Sequence, residues 1–210
     1  MNPFKLFLVL GGLGWILGVG VLLADAELTD ANKVQHISQS YVAESQGKLE
    51  EATEAVLELY RNDAKDYFTH LRLGWLFYLR RMYSNSMNHY KKALAEKPQA
   101  LEPHLGLLNV GVAENRWAEV EKQAMEGLKK FPGELKLTQM LIRAQVEQKN
   151  WGRAWTSIDG ALDIFPIDPV LLEFRVRVAR ELGKTELAKG ARERLQMIYP
   201  GVGGTLGKGI

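Results

Sequence analysis

The sequence predicts an all-α solenoid of five helix–turn–helix units, each 34 residues long, on three observations. Pro98, Pro132, Pro166 and Pro200 follow one another at intervals of 34 residues, a period that belongs to a repeat of two antiparallel helices. Counting from these prolines gives units 33–66, 67–100, 101–134, 135–168 and 169–202 with no insertion. The columns of that register then agree in size. The seventeenth position reads Leu49, Tyr83, Trp117, Trp151 and Thr185, mostly large, whereas the twentieth reads Ala52, Ser86, Val120, Ala154 and Ala188, mostly small. Finally, Gly47, Asn115 and Gly183 share the fifteenth position, where a residue tolerant of positive φ separates the two helices of a unit.

Residues 1–26 stand outside the repeats. Lys5 precedes an uncharged, mostly apolar run over 6–24, and Ala24-Asp25-Ala26 follows it. Small residues before a cut suit signal peptidase, which places cleavage after Ala26. Nineteen apolar residues also nearly span a hydrocarbon core at about 1.5 Å rise per residue, so a retained membrane anchor stays open beside the cleaved signal. Membrane contact is then confined to residues 4–24. Positive charge before the run and Asp25, Glu27 and Asp30 after it place the repeats outside the cytoplasm in either case, periplasmic or secreted, or anchored on the outer side of the inner membrane. A short linker, 27–32, leads into the first unit.

Within the units, Asp168-Pro169 predicts a helix start, since aspartate caps and proline fits the first turn. The recurrent proline is expected to stop each second helix by removing a donor and clashing backwards. The twenty-eighth position reads Tyr60, Leu94, Leu128 and Leu162 but ends in Gln196, and Arg192 joins it. A polar last face is what a solenoid end requires. Residues 203–210 follow as a Gly-rich tail expected to be flexible.

The second unit also carries Leu73-Gly74 and Phe77. With the period and the second-helix columns, these make residues 33–202 resemble the tetratricopeptide-repeat family, although the first-helix motif is degraded in the other units. The resemblance implies a right-handed superhelical solenoid whose first helices line a concave groove. It carries the groove onto Tyr41, Phe68, Leu71, Trp75 and Tyr78 in the first two units and onto Asn109 in the third. Lys136, Arg143, Arg177 and Arg180 continue it through the last two units. One half of the groove is thus aromatic and the other basic, which suits a partner peptide or helix with apolar anchors and acidic groups. The family's clamp for a C-terminal carboxylate is not reproduced, because Leu105 precedes Asn109 and the later places hold Met140 and Phe174.

No enzymatic signature is present, and no cofactor or metal is expected. His36, His70 and His104 recur at the fourth position. Neighbouring helix axes stand about 8–10 Å apart, too far for adjacent histidines to share a zinc at about 2 Å, so they read as packing groups. The chain has no cysteine, which removes disulfides and thiolate chemistry, and a net charge of +2 gives no basic face for nucleic acid. By unit the charge runs −3, +5, −2, 0 and +3. The expected function is a non-enzymatic adaptor in the cell envelope that binds another protein in the groove. The alternatives are a self-associating homo-oligomeric scaffold, for which head-to-tail contact would use the charge alternation, and a binder of acidic polysaccharide in an export assembly.

Overall fold

The computed structural model describes residues 29–200. The expected leader over 1–26 and the tail over 203–210 lie outside the described residues. Among the described residues ten helices form five hairpins: α1 (Asp30–Ser45) with α2 (Leu49–Asn62), α3 (Tyr67–Leu79) with α4 (Tyr83–Glu96), α5 (Leu101–Ala113) with α6 (Trp117–Lys130), α7 (Leu135–Glu147) with α8 (Trp151–Ile164), and α9 (Pro169–Glu181) with α10 (Thr185–Ile198). Each hairpin is one 34-residue unit, so the repeat period is also the structural one. The fold is an all-α helical repeat solenoid.

The turn inside each unit explains the fifteenth column. Gly47, Arg81, Asn115, Lys149 and Gly183 all have positive φ, between 56° and 74°. The next residue then donates its N–H back across the helix end, as in Met82 N to Phe77 O at 2.8 Å and Lys184 N to Ala179 O at 2.8 Å. This closes the first helix and aims the chain into the second. Arg81 and Lys149 take the same conformation at a cost of about 1–2 kcal/mol each, which the repeated hairpin packing offsets. Every second helix opens on a seventeenth-position residue.

The prolines act differently from the expectation. Each falls two residues beyond the last helical residue, and the residue between them is held out of helical geometry, with φ/ψ of −133°/83° at Lys97 and −121°/65° at Phe165. Proline disfavours helical geometry in the residue before it, so it shapes the exit and does not break the helix. The first unit has Ala64 in that place, yet α2 ends at Asn62 with Asp63 also out of helical geometry, at −137°/100°. A second difference lies at the N-terminal end. Residues 30–32, expected in the linker, form the first turn of α1, because Thr29 Oγ1 accepts from Asn32 N at 3.3 Å. Asp168 caps α9 as expected, accepting from Leu171 N at 2.9 Å with Pro169 in the first turn.

The twentieth-position residues are all buried, Ala52, Ser86 and Ala154 completely, which lets the two helices of a unit approach. Between units a large ring fills the seam. Tyr90 of α4 lies between Gly74 and Gly106, and a Cβ on Gly74 would sit 2.7 Å from its ring. Fully buried Leu73, Leu108, Leu137, Ile142 and Leu171 each contribute about 1.5–3 kcal/mol of burial. The backbones of α3, α5, α7 and α9 approach one another in succession, whereas those of the second helices do not. The array therefore curves with its first helices on the inner face. The first helix departs from this pattern: α1 and α3 lack the close backbone approach of the later pairs.

Candidate functional site: a cleft between the first and third helices

The gap between α1 and α3 is a cleft of about 850 Å³ on the inner face. Ile37 and Tyr41 of α1 form one wall, Phe68, Leu71 and Trp75 of α3 the other, and Val56 and Leu59 of α2 also line it. Four of these are large apolar groups left in water: Phe68 is 64% exposed, Tyr41 57%, Ile37 41% and Trp75 37%. Exposed aromatics concentrated around one concavity mark a binding surface, since their apolar area is unsatisfied until something covers it.

The walls are held by one polar cluster. The Arg72 guanidinium lies 3.9 Å from the centroid of the Tyr41 ring, pairs with Glu44, and donates to Ser40 Oγ from Nε at 3.1 Å and Nη2 at 3.0 Å. Trp75 Nε1 donates to the other Glu44 oxygen at 2.7 Å. Arginine is suited to this because its fork serves several acceptors while its plane stacks on an aromatic face. Trp75 is fixed further by stacking on Tyr78 at a centroid distance of 5.7 Å, so its indole is presented rigidly. Asp63 and Asp66 stand at the end of the cleft where α2 gives way to α3. Asp66 caps α3 by accepting from Thr69 N at 2.6 Å.

Of the ten residues singled out in the sequence, the structure brings Tyr41, Phe68, Leu71 and Trp75 into this cleft, with Tyr78 behind Trp75. The others lie farther along the same series of helices and do not join it. Asn109 is half-buried on α5. Arg143 rests over Trp117 at 5.6 Å from the ring centroid, and Arg177 pairs with Glu147 at 2.9 Å. Lys136 and Arg180 are exposed. Arg72, Asp63 and Asp66 were not among the expected site residues. The available signal for Arg72 was its three-residue spacing from Trp75, which puts both on one side of α3.

Of the histidine column, His70 is buried as a packing group and meets a histidine outside the column. His70 Nδ1 lies 3.1 Å from His89 Nδ1, and His70 Nε2 lies 3.0 Å from the Ala64 carbonyl. A carbonyl only accepts, so His70 carries its proton on Nε2 and accepts at Nδ1 from His89. Burial pushes the His89 imidazole down to about 4, with the neighbouring His70 and Lys92 acting in the same direction. Burial also lowers His70. Among the described residues no three or more His, Cys, Asp or Glu are placed to hold a metal ion.

No protein-family model and no curated protein sequence matches the chain. Solved structures do match. The MamA RS-1 ArsTM double mutant superposes with a TM-score of 0.71 at 12% identity, covering 80% of this chain and 95% of the other. PilW, a widely conserved type IV pilus biogenesis factor, gives 0.70 at 16% identity over 81% of this chain and 80% of its own. TTC0263, a thermophilic TPR protein in Thermus thermophilus, gives 0.60 at 12% identity over 81% and 93%. With its 34-residue hairpins, positive-φ turns and inner row of first helices, this chain has the tetratricopeptide-repeat fold.

Proposed function

We propose that the chain is a non-enzymatic protein-binding scaffold that receives a helical or extended segment of another protein in the cleft between α1 and α3. The observation that carries this reading is the concentration of exposed Tyr41, Phe68 and Trp75 around one 850 Å³ concavity. Apolar anchors of the partner enter the cleft, where rigid aromatic walls give contact area at little entropic cost. Lys136 and Arg180, exposed farther along, are available to its carboxylates. The envelope setting rests on the charge-flanked apolar run over 6–24 and on Ala24-Asp25-Ala26, and the likeness to a type IV pilus biogenesis factor is in keeping with it.

A photo-crosslinking side chain at Phe68, with one at exposed Ala118 of α6 as the control, tests the reading in intact cells. The Phe68 position should capture a discrete partner that Trp75→Ala abolishes while helicity stays unchanged. Equal capture from both positions, or capture indifferent to Trp75→Ala, would move the interface off this cleft. Protease admitted only to the outer compartment of the same cells should degrade the chain, and protection would overturn the envelope setting.

A further inference from the structure

We propose that copies of this chain join end to end, the last unit of one receiving the first unit of the next in the register that the units already use among themselves. The tenth position of the repeat carries the first sign. Leu76, Val110, Ala144 and Val178 hold it in the later units with no exposure at all. Leu76 shares its core with Ala43, Ala52 and Val56 of the unit before it. Val42 occupies the same position in the first unit and is 52% exposed. It lies in a shallow groove between α1 and α2, on a face distinct from the aromatic cleft, rimmed by Glu51, Glu54 and Glu58. An apolar residue thus persists where a preceding unit would cover it.

The polar contacts between internal units supply the register. Arg153, nineteenth in its unit, pairs with Glu121, twenty-first in the unit before, at 2.7 Å. The same two positions across two copies are Glu51 and Lys189, opposite charges in reversed order. Among the described residues Glu51 is engaged by Lys48 at 3.3 Å, with both side chains more than half exposed, a pairing too weak to withhold it. Lys92, twenty-sixth, donates to Tyr60, twenty-eighth in the unit before, at 2.9 Å. Its counterpart between copies is Glu58 against Gln196, whose amide can donate to the carboxylate. The first unit carries −3 and the last +3, so encounter in this orientation is favoured and the two reversed orientations are penalised.

Such a contact is heterologous: each copy uses a different surface from its neighbour, so the assembly does not close on itself unless the rotation happens to return. The receiving face carries Lys189, Arg192 and Gln196, which makes the joint polar and sensitive to salt. It leaves the aromatic cleft uncovered, so this proposal and the partner-binding reading stand or fall separately.

The absence of cysteine from the sequence permits a direct test with the full-length chain in its membrane or in mild detergent. A Glu51→Cys, Lys189→Cys variant should oxidise into a ladder of dimers, trimers and longer chains. Either single variant should give no ladder. Sedimentation provides the second measurement, independent of disulfide geometry. The weight-average mass of the wild type should at least double with concentration, Glu51→Lys should stay monomeric, and Glu51→Lys with Lys189→Glu should regain association. A wild type whose sedimentation stays monomeric or stops at a dimer would overturn the proposal, as would a charge swap that restores nothing.

Discussion

Two buried imidazoles tie the stability of this protein to pH. His70 and His89 share a hydrogen bond inside a cage that includes Tyr60 and Phe77, with ring centroids 5.3–5.6 Å apart. In that bond only one imidazole nitrogen of the facing pair carries a proton, so a second proton replaces attraction by repulsion between buried cations. His89 falls from an ordinary 6.5 to about 4 on folding, so between those values the unfolded chain binds more protons than the native one. The His89 contribution to stability is therefore full above pH 6.5, declines as the pH drops towards 4, and amounts to roughly 3 kcal/mol if the whole shift is expressed. Urea denaturation at several pH values should show this decline, and His89→Phe should flatten it. An unchanged slope in the variant would assign the acid response to other groups. His70 was legible in the sequence as a packing group through its column, but His89 belongs to no column. Its role arises where α3, α4 and the turn holding Ala64 meet, a juxtaposition that one-dimensional spacing does not express.

Helices and turns were the most legible parts, because their causes are local. The seventeenth-position residues open every second helix and the fifteenth-position residues close every first one. Arg81 and Lys149 adopt the same positive φ as Gly47 without the residue type that signals it, which shows the hairpin imposing the turn on the residue. The proline column marked the correct place, and Ala64 shows that a second helix also ends there without a proline. Helix interiors offer a test of how much propensity was left unused. Gly160 lies exposed in α8, and a Cβ built there meets nothing within 4 Å. Gly160→Ala should stabilise by about 0.5–1 kcal/mol, since alanine loses less backbone entropy on entering a helix. The denaturation midpoint should rise with an unchanged m-value. Gly47→Ala is the opposite case, because Gly47 sits at φ +74°, and its midpoint should fall. A loss at Gly160 would mean that α8 has a neighbour on this face.

At the scale of the whole molecule the interior is divided. One core joins the first two units around Leu73 and Val56, a second links the third and fourth around Leu108 and Leu137, and a third joins the fourth and fifth around Ile142, Ile158 and Leu171. The repeat period made five stacked units legible, but not the distance at which one stands from the next, and the cleft exists because α1 stands off from α3. That spacing is set by the Arg72 cluster and by how far side chains fill the seam, and neither leaves a period in the sequence. A divided core also predicts divided unfolding, because each unit touches only its neighbours. Leu171 is fully buried, and Leu171→Ala should cost about 2–5 kcal/mol. In native-state hydrogen exchange that loss should speed exchange in α8, α9 and α10 while α2, α3 and α4 keep their protection. Uniform acceleration over all ten helices would instead show one cooperative unit. In that case the proposed joint between copies would be sensed along the entire array, and a partner seated between α1 and α3 would stabilise α10 as much as its own walls.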